Sequence, residues 1–157
     1  MKKTVKLYNV FFPIYVMVFF PPIIFLVLIG NFVIDAVVIV SVLYFSKALS
    51  TIKHKRKYIT KAWGYGFLAD ICAALLLLVL EWAGLVYSYK PFESVSNVMF
   101  IFFAIVVGGV FVGIFNYRLA LRNGLNKKIA LRQALFMGII TAPWMFLLPL
   151  SLFGFNI

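Results

Sequence analysis

The sequence predicts an all-α integral membrane protein. It would be one compact bundle of five transmembrane helices over residues 1–157, with the N-terminus cytoplasmic and the C-terminus outside. Three observations lead there. The chain is 65% hydrophobic, with a mean hydropathy of +1.08, whereas soluble domains are about half apolar. Its apolar residues form stretches long enough to cross ~30 Å of hydrocarbon. Its excess positive charge, net +11, is confined to short runs between those stretches, which is how membrane topology is encoded.

Met1 to Lys6 is a short basic start. It resembles the leading region of a signal peptide, but the apolar run after it is long and aromatic and lacks a small-x-small cleavage site. An uncleaved first span is expected. Leu7 to Ser46 carries one charge, Asp35, and is long enough for two spans. Gly suits a helix C-terminus and Asn an N-cap, so Gly30-Asn31 divides the run into spans 7–29 and 31–46. Pro21-Pro22 is the competing break. It is read as a kink that frees the Met17 and Val18 carbonyls. A re-entrant hairpin in place of two full spans would leave the charge pattern unchanged.

Lys47 to Lys61 is the strongest basic cluster. Lys53, Lys55, Arg56 and Lys57 are expected to contact anionic lipid headgroups, with docking of an acidic partner as the alternative. His54, the only histidine, reads as a surface residue of this loop.

The third span, 62–87, carries two acids, Asp70 and Glu81, eleven positions apart. Three helical turns separate them, so they project from nearly one side. Trp63, Gly66, Ala73, Ala74, Leu77, Gly84 and Ser88 share that side. The opposite side reads Leu68, Cys72, Leu75, Val79 and Val86. A carboxylate facing lipid is expensive, so the small, acid-bearing face should pack inward or line a cavity.

Ser88 to Glu93 is a turn held by Pro91. Span four, 94–117, contains Gly109-x-x-x-Gly113 with Asn116 further along the stripe. Such spacing lets helix backbones approach closely. Packing within one chain is the expected use, with self-association as the alternative. Arg118 to Arg132 is the second basic connection, turning at Asn123-Gly124. Span five, 133–153, presents Ala134, Gly138, Ala142 and Met145 as a stripe with Thr141 beside it. Pro143 and Pro149 should kink or end it.

Fourteen of the fifteen Lys and Arg residues fall at the N-terminus, in 47–61 and in 118–132; Lys90 is the exception. With five spans those three places share one face, cytoplasmic by the positive-inside rule. No internal repeat is visible, and five spans do not halve into inverted repeats.

Chemistry would sit at the intramembrane acids. Helical rise puts Asp35 roughly 6 Å and Glu81 roughly 9 Å below the outer ends of their spans, a possible shared layer. Asp70 lies roughly 12 Å in from the opposite end, near the membrane middle. Asn116 and Arg118 of span four are candidate partners for Asp70, and Thr141 lies at a similar depth. The expected ion- or substrate-binding residues are therefore Asp70, Glu81, Asp35, Asn116 and Thr141. A structural role for Asp70, protonated against Asn116 or paired with Arg118, is the competing reading.

Tyr8, Trp63, Tyr65, Trp82, Tyr87 and Tyr89 fall near expected membrane interfaces, while Trp144 is deeper. The single Cys72 allows no intrachain disulfide and no Cys-based metal site. No catalytic signature is present, and no cofactor or metal is implied. No nucleic-acid-reading module is visible, so the net charge is not read as a nucleic-acid footprint. The expected function is a small transporter or channel component in a cell membrane, of the bacterial cytoplasmic type. It would bind a proton, a cation or a cationic solute. The alternatives are a non-transporting accessory or scaffold subunit and, further off, a membrane enzyme on a lipid-like substrate. So short a chain is expected to work as a homo-oligomer or beside a partner membrane subunit.

Overall fold

A computed structural model of the chain describes residues 23–88 and 90–148. Over those residues it is all-helical: α1 (Ile23–Phe45), α2 (Lys55–Trp82), α3 (Val95–Arg122) and α4 (Lys127–Ile140), followed by a 3-10 turn at Trp144–Leu147. Four segments, Phe25–Phe45, Lys55–Trp82, Val95–Arg122 and Lys127–Leu147, are long and apolar enough to cross a membrane. Large apolar side chains such as Leu26, Leu75, Val79, Phe103 and Ile139 point outward, as suits a multi-pass membrane protein whose surroundings are hydrocarbon.

The division expected at Gly30-Asn31 does not occur, because α1 runs through both residues. Glycine is ordinary in membrane helices, and the Asn31 side chain bonds a neighbouring helix instead of capping its own. The described helix spans Ile23–Phe45, and Pro21-Pro22 lies outside the described residues. Most of the expected first span, 7–29, lies outside the described residues, as does the end of span five with Pro149. Four crossings, not five, are therefore described.

The helix ends follow from local chemistry. The Ser94 hydroxyl accepts from the Asn97 N–H at 3.1 Å and starts α3. The Asn126 side chain accepts from the Ile129 N–H at 2.9 Å and starts α4. Three helices end in the same paired bonds. The Leu85 N–H donates to the Leu80 carbonyl and the Gly84 N–H to the Glu81 carbonyl, with Gly84 at φ +72°. Leu125 and Gly124 repeat this on α3, with Gly124 at φ +86°. Ala48 and Lys47 repeat it on α1, but there a lysine takes the left-handed conformation at φ +52°. Helix α2 thus starts in the basic cluster and stops at Trp82, earlier than the expected Tyr87. Pro143 ends the helical part of the fourth segment, as its missing N–H requires.

The helices form a ring in which α1 touches α2 and α4, and α3 touches α2 and α4. The small face of α2 is inside: Ala62, Gly66, Ala69, Ala73 and Leu77 are buried, while Leu68, Leu75 and Val79 are exposed. Val86, expected on the greasy side, lies past the helix end and is buried. The glycine pair of α3 is used within the chain. A Cβ on Gly109 would stand 2.5 Å from the Gly138 carbonyl oxygen, and one on Gly113 3.3 Å from that of Ala134. Gly108 meets Ala73 and Pro143 in the same way.

Both basic connections lie at one end of the bundle. Arg132 donates to the Ser46 hydroxyl at 3.4 Å, and the buried Tyr58 hydroxyl donates to Gln133 Oε1 at 2.8 Å. At the other end the buried Asn97 holds the α2–α3 turn, accepting from the Tyr87 N–H and donating to the Tyr87, Lys90 and Pro91 carbonyls.

Candidate functional site

Because α1 is continuous, Asn31 and Asp35 sit one turn apart on one face, in the middle of the helix. Helix α2 sets Phe67 and Asp70 opposite them. The broken end of α4 closes the space with Thr141, Pro143 and Trp144. Together they line a cavity of about 170 Å³.

Asp35 is 2% exposed. A Cβ on Gly66 would stand 3.2 Å from Asp35 Oδ2, so the absence of a side chain there gives the carboxylate its room. Thr141 lines the cavity with it. The Thr141 hydroxyl lies 2.8 Å from the Met137 carbonyl. Asn31 Nδ2 donates to Asp70 Oδ2 at 3.4 Å. Asp70 Oδ1 is buried and has no hydrogen-bond partner. The two carboxylates are near enough to repel each other when both are charged.

The rest of the environment adds negative potential. Helix α4 ends at Ile140 against the cavity, and a helix C-terminus carries about half a negative charge. The Trp144 indole N–H donates to the Ile139 carbonyl at 2.9 Å and fixes the ring at the cavity wall. Among the described residues, no Lys, Arg or His lines the cavity. No cluster of three or more His, Cys, Asp or Glu residues with metal-site geometry occurs among them either.

Of the expected site residues, the fold brings together Asp35, Asp70 and Thr141. Glu81 is elsewhere. It accepts from the Ser88 hydroxyl at 3.0 Å, about 16 Å along α2 from Asp70. The shared Asp35–Glu81 layer does not form, because starting α1 at Ile23 moves Asp35 from near an interface to mid-helix. Asn116 is fully buried on α3, but its amide donates to the Val112 carbonyl of its own helix and it does not line the cavity. The partner of Asp70 is Asn31, neither Asn116 nor Arg118; Arg118 is exposed on the outer surface. Asn31 and Phe67, not among the residues expected from the sequence, also line the cavity. The spacing Asn31-x-x-x-Asp35 was the available signal, hidden by reading Gly30-Asn31 as a turn.

Compared with known proteins, the chain matches no family model, no curated protein and no solved structure. The function of the cavity is therefore read from its chemistry.

Proposed function

We propose that this multi-pass membrane protein binds a cation, either a proton or a small cationic solute, at Asp35 and Asp70, and that it serves as a transporter or channel component. One observation carries the reading. Two carboxylates from different helices converge on one intramembrane cavity that no basic residue lines among the described residues. Uncompensated acids at that depth are costly, and a bound cation offsets the cost. The α4 C-terminus beside them acts in the same direction, as broken helices do around bound cations. Asn31 orients Asp70, and Trp144 and Phe67 wall the two acids from lipid.

Under this reading the basic end of the bundle is cytoplasmic, in a bacterial cell membrane, and the chain leaves α4 toward the outside. A cytoplasmic N-terminus then needs a fifth crossing before Ile23. The test is uptake into proteoliposomes, comparing the parent with Asp70→Asn and Glu81→Gln. Flux should be lost in the first and kept in the second; flux unchanged by Asp70→Asn refutes the reading.

A second reading, an accessory subunit docking through its cytoplasmic loops, draws on the exposed basic cluster that includes Lys53, Lys55, Arg56 and Lys57. The same cluster would sit on anionic headgroups. A membrane partner that co-purifies with the parent, and is lost when those four charges are neutralised, would support it.

A further inference from the structure

A second concavity lies on the outer surface of the bundle, between α3 and α4. It is a groove of about 800 Å³ whose lining is apolar apart from a few polar groups. It exists because Gly109, Gly113, Ala134 and Gly138 put almost no side chain between the two helices. Among the described residues, Arg118 is the one charged residue lining it, at the basic end of the bundle. That side chain is exposed. Trp144, held by its bond to the Ile139 carbonyl, stands at the far end.

We propose that this groove binds one acyl chain of an anionic phospholipid, with the lipid phosphate on the Arg118 guanidinium. Three features of the groove agree on that occupant. From Val106 to Arg118 the groove follows α3 for about 18 Å, close to the ~15 Å depth of one leaflet of hydrocarbon. Arg118 lies one turn before the end of α3, about 6 Å from it, so its guanidinium reaches headgroup level when the side chain extends. The groove runs to Arg118 at the basic end of the bundle, and under the orientation proposed above that end faces the anionic leaflet. A guanidinium and a phosphate form a paired, charge-assisted contact that a zwitterionic headgroup weakens with its own ammonium. The groove and the acid cavity share Ala142 and Trp144 as a wall, so a chain in the groove would press on the closed side of the cavity.

Native mass spectrometry of the purified protein tests this, with phosphatidylglycerol or phosphatidylcholine added to the detergent. The parent should retain one phosphatidylglycerol in preference to phosphatidylcholine. Arg118→Gln should lower that retention about five-fold, the factor that ~1 kcal/mol per basic residue gives. Lys90→Gln, the same charge loss at the opposite end of the bundle, should leave it unchanged. Ile114→Trp, which fills the groove from an exposed position, should lower retention of both lipids. Equal losses for Arg118→Gln and Lys90→Gln would overturn the proposal. So would full retention in Ile114→Trp, or a disulfide between copies of Ile114→Cys in a Cys72→Ser background, which would put a second copy in the groove.

Discussion

The contact between α3 and α4 makes a sharp test of the packing, because the same chemical change should have opposite signs at different glycines. Gly109→Ala places a Cβ 2.5 Å from the Gly138 carbonyl oxygen. Ordinary contact begins at 3.4 Å, so the helices must part by about 0.9 Å. The obstacle is backbone on the partner helix, which no rotamer change relieves. Overpacking of this kind costs about 1–3 kcal/mol, and a rigid backbone obstacle puts it at the upper end. Alanine regains about 1 kcal/mol of helix propensity, leaving a net loss of about 2 kcal/mol. Gly30→Ala and Gly64→Ala meet nothing within 4 Å, so they keep the gain of up to about 1 kcal/mol. Unfolding in detergent, followed by tryptophan fluorescence, should therefore separate Gly109→Ala from the other two by about 3 kcal/mol. Equal shifts for all three would refute the close approach of α3 and α4.

Three further substitutions probe the ends and the buried polar contacts. Asn97→Ala should cost about 3 kcal/mol, because it orphans a backbone N–H and several carbonyls of the α2–α3 turn; faster proteolysis between Gly84 and Ser94 would accompany the lower stability. Tyr58→Phe should cost about 1–3 kcal/mol, since the Gln133 amide nitrogen already lacks a partner and its oxygen would lose Tyr58. Lys47→Gly should raise the melting temperature, as it relieves a left-handed lysine at about 1 kcal/mol; an unchanged or lower value would count against that end geometry.

The interior of the bundle was legible where residue size alone decides it. On α2 the repeat of Gly66, Ala73 and Leu77 against Leu68, Leu75 and Val79 marks the inward side without knowledge of the neighbours. Asn123-Gly124 and Pro143 fixed ends because each acts on its own stretch of backbone. The basic helix starts were harder to place. Lys55 to Lys61 and Lys127 to Arg132 are charged, yet helical, because a helix continues past the hydrocarbon into the headgroup layer. Hydropathy sees only the apolar part. The register of Asp35 was lost through one local choice at Gly30-Asn31, where a cap signal competed with a continuous helix. The helix is continuous, and Asn31 contacts Asp70 across to α2. Which acid faces which also depends on the helix order around the ring, and the pairing of α1 with both α2 and α4 leaves no trace in spacing.

The most direct measurement is an equilibrium binding isotherm for a small organic cation and for protons on the purified protein, comparing the parent, Asp35→Asn, Asp70→Asn and Glu81→Gln. Binding should be weakened or lost in both aspartate variants and retained in Glu81→Gln. Binding that survives both aspartate changes, or that depends on Glu81 instead, would contradict a cation site built from Asp35 and Asp70.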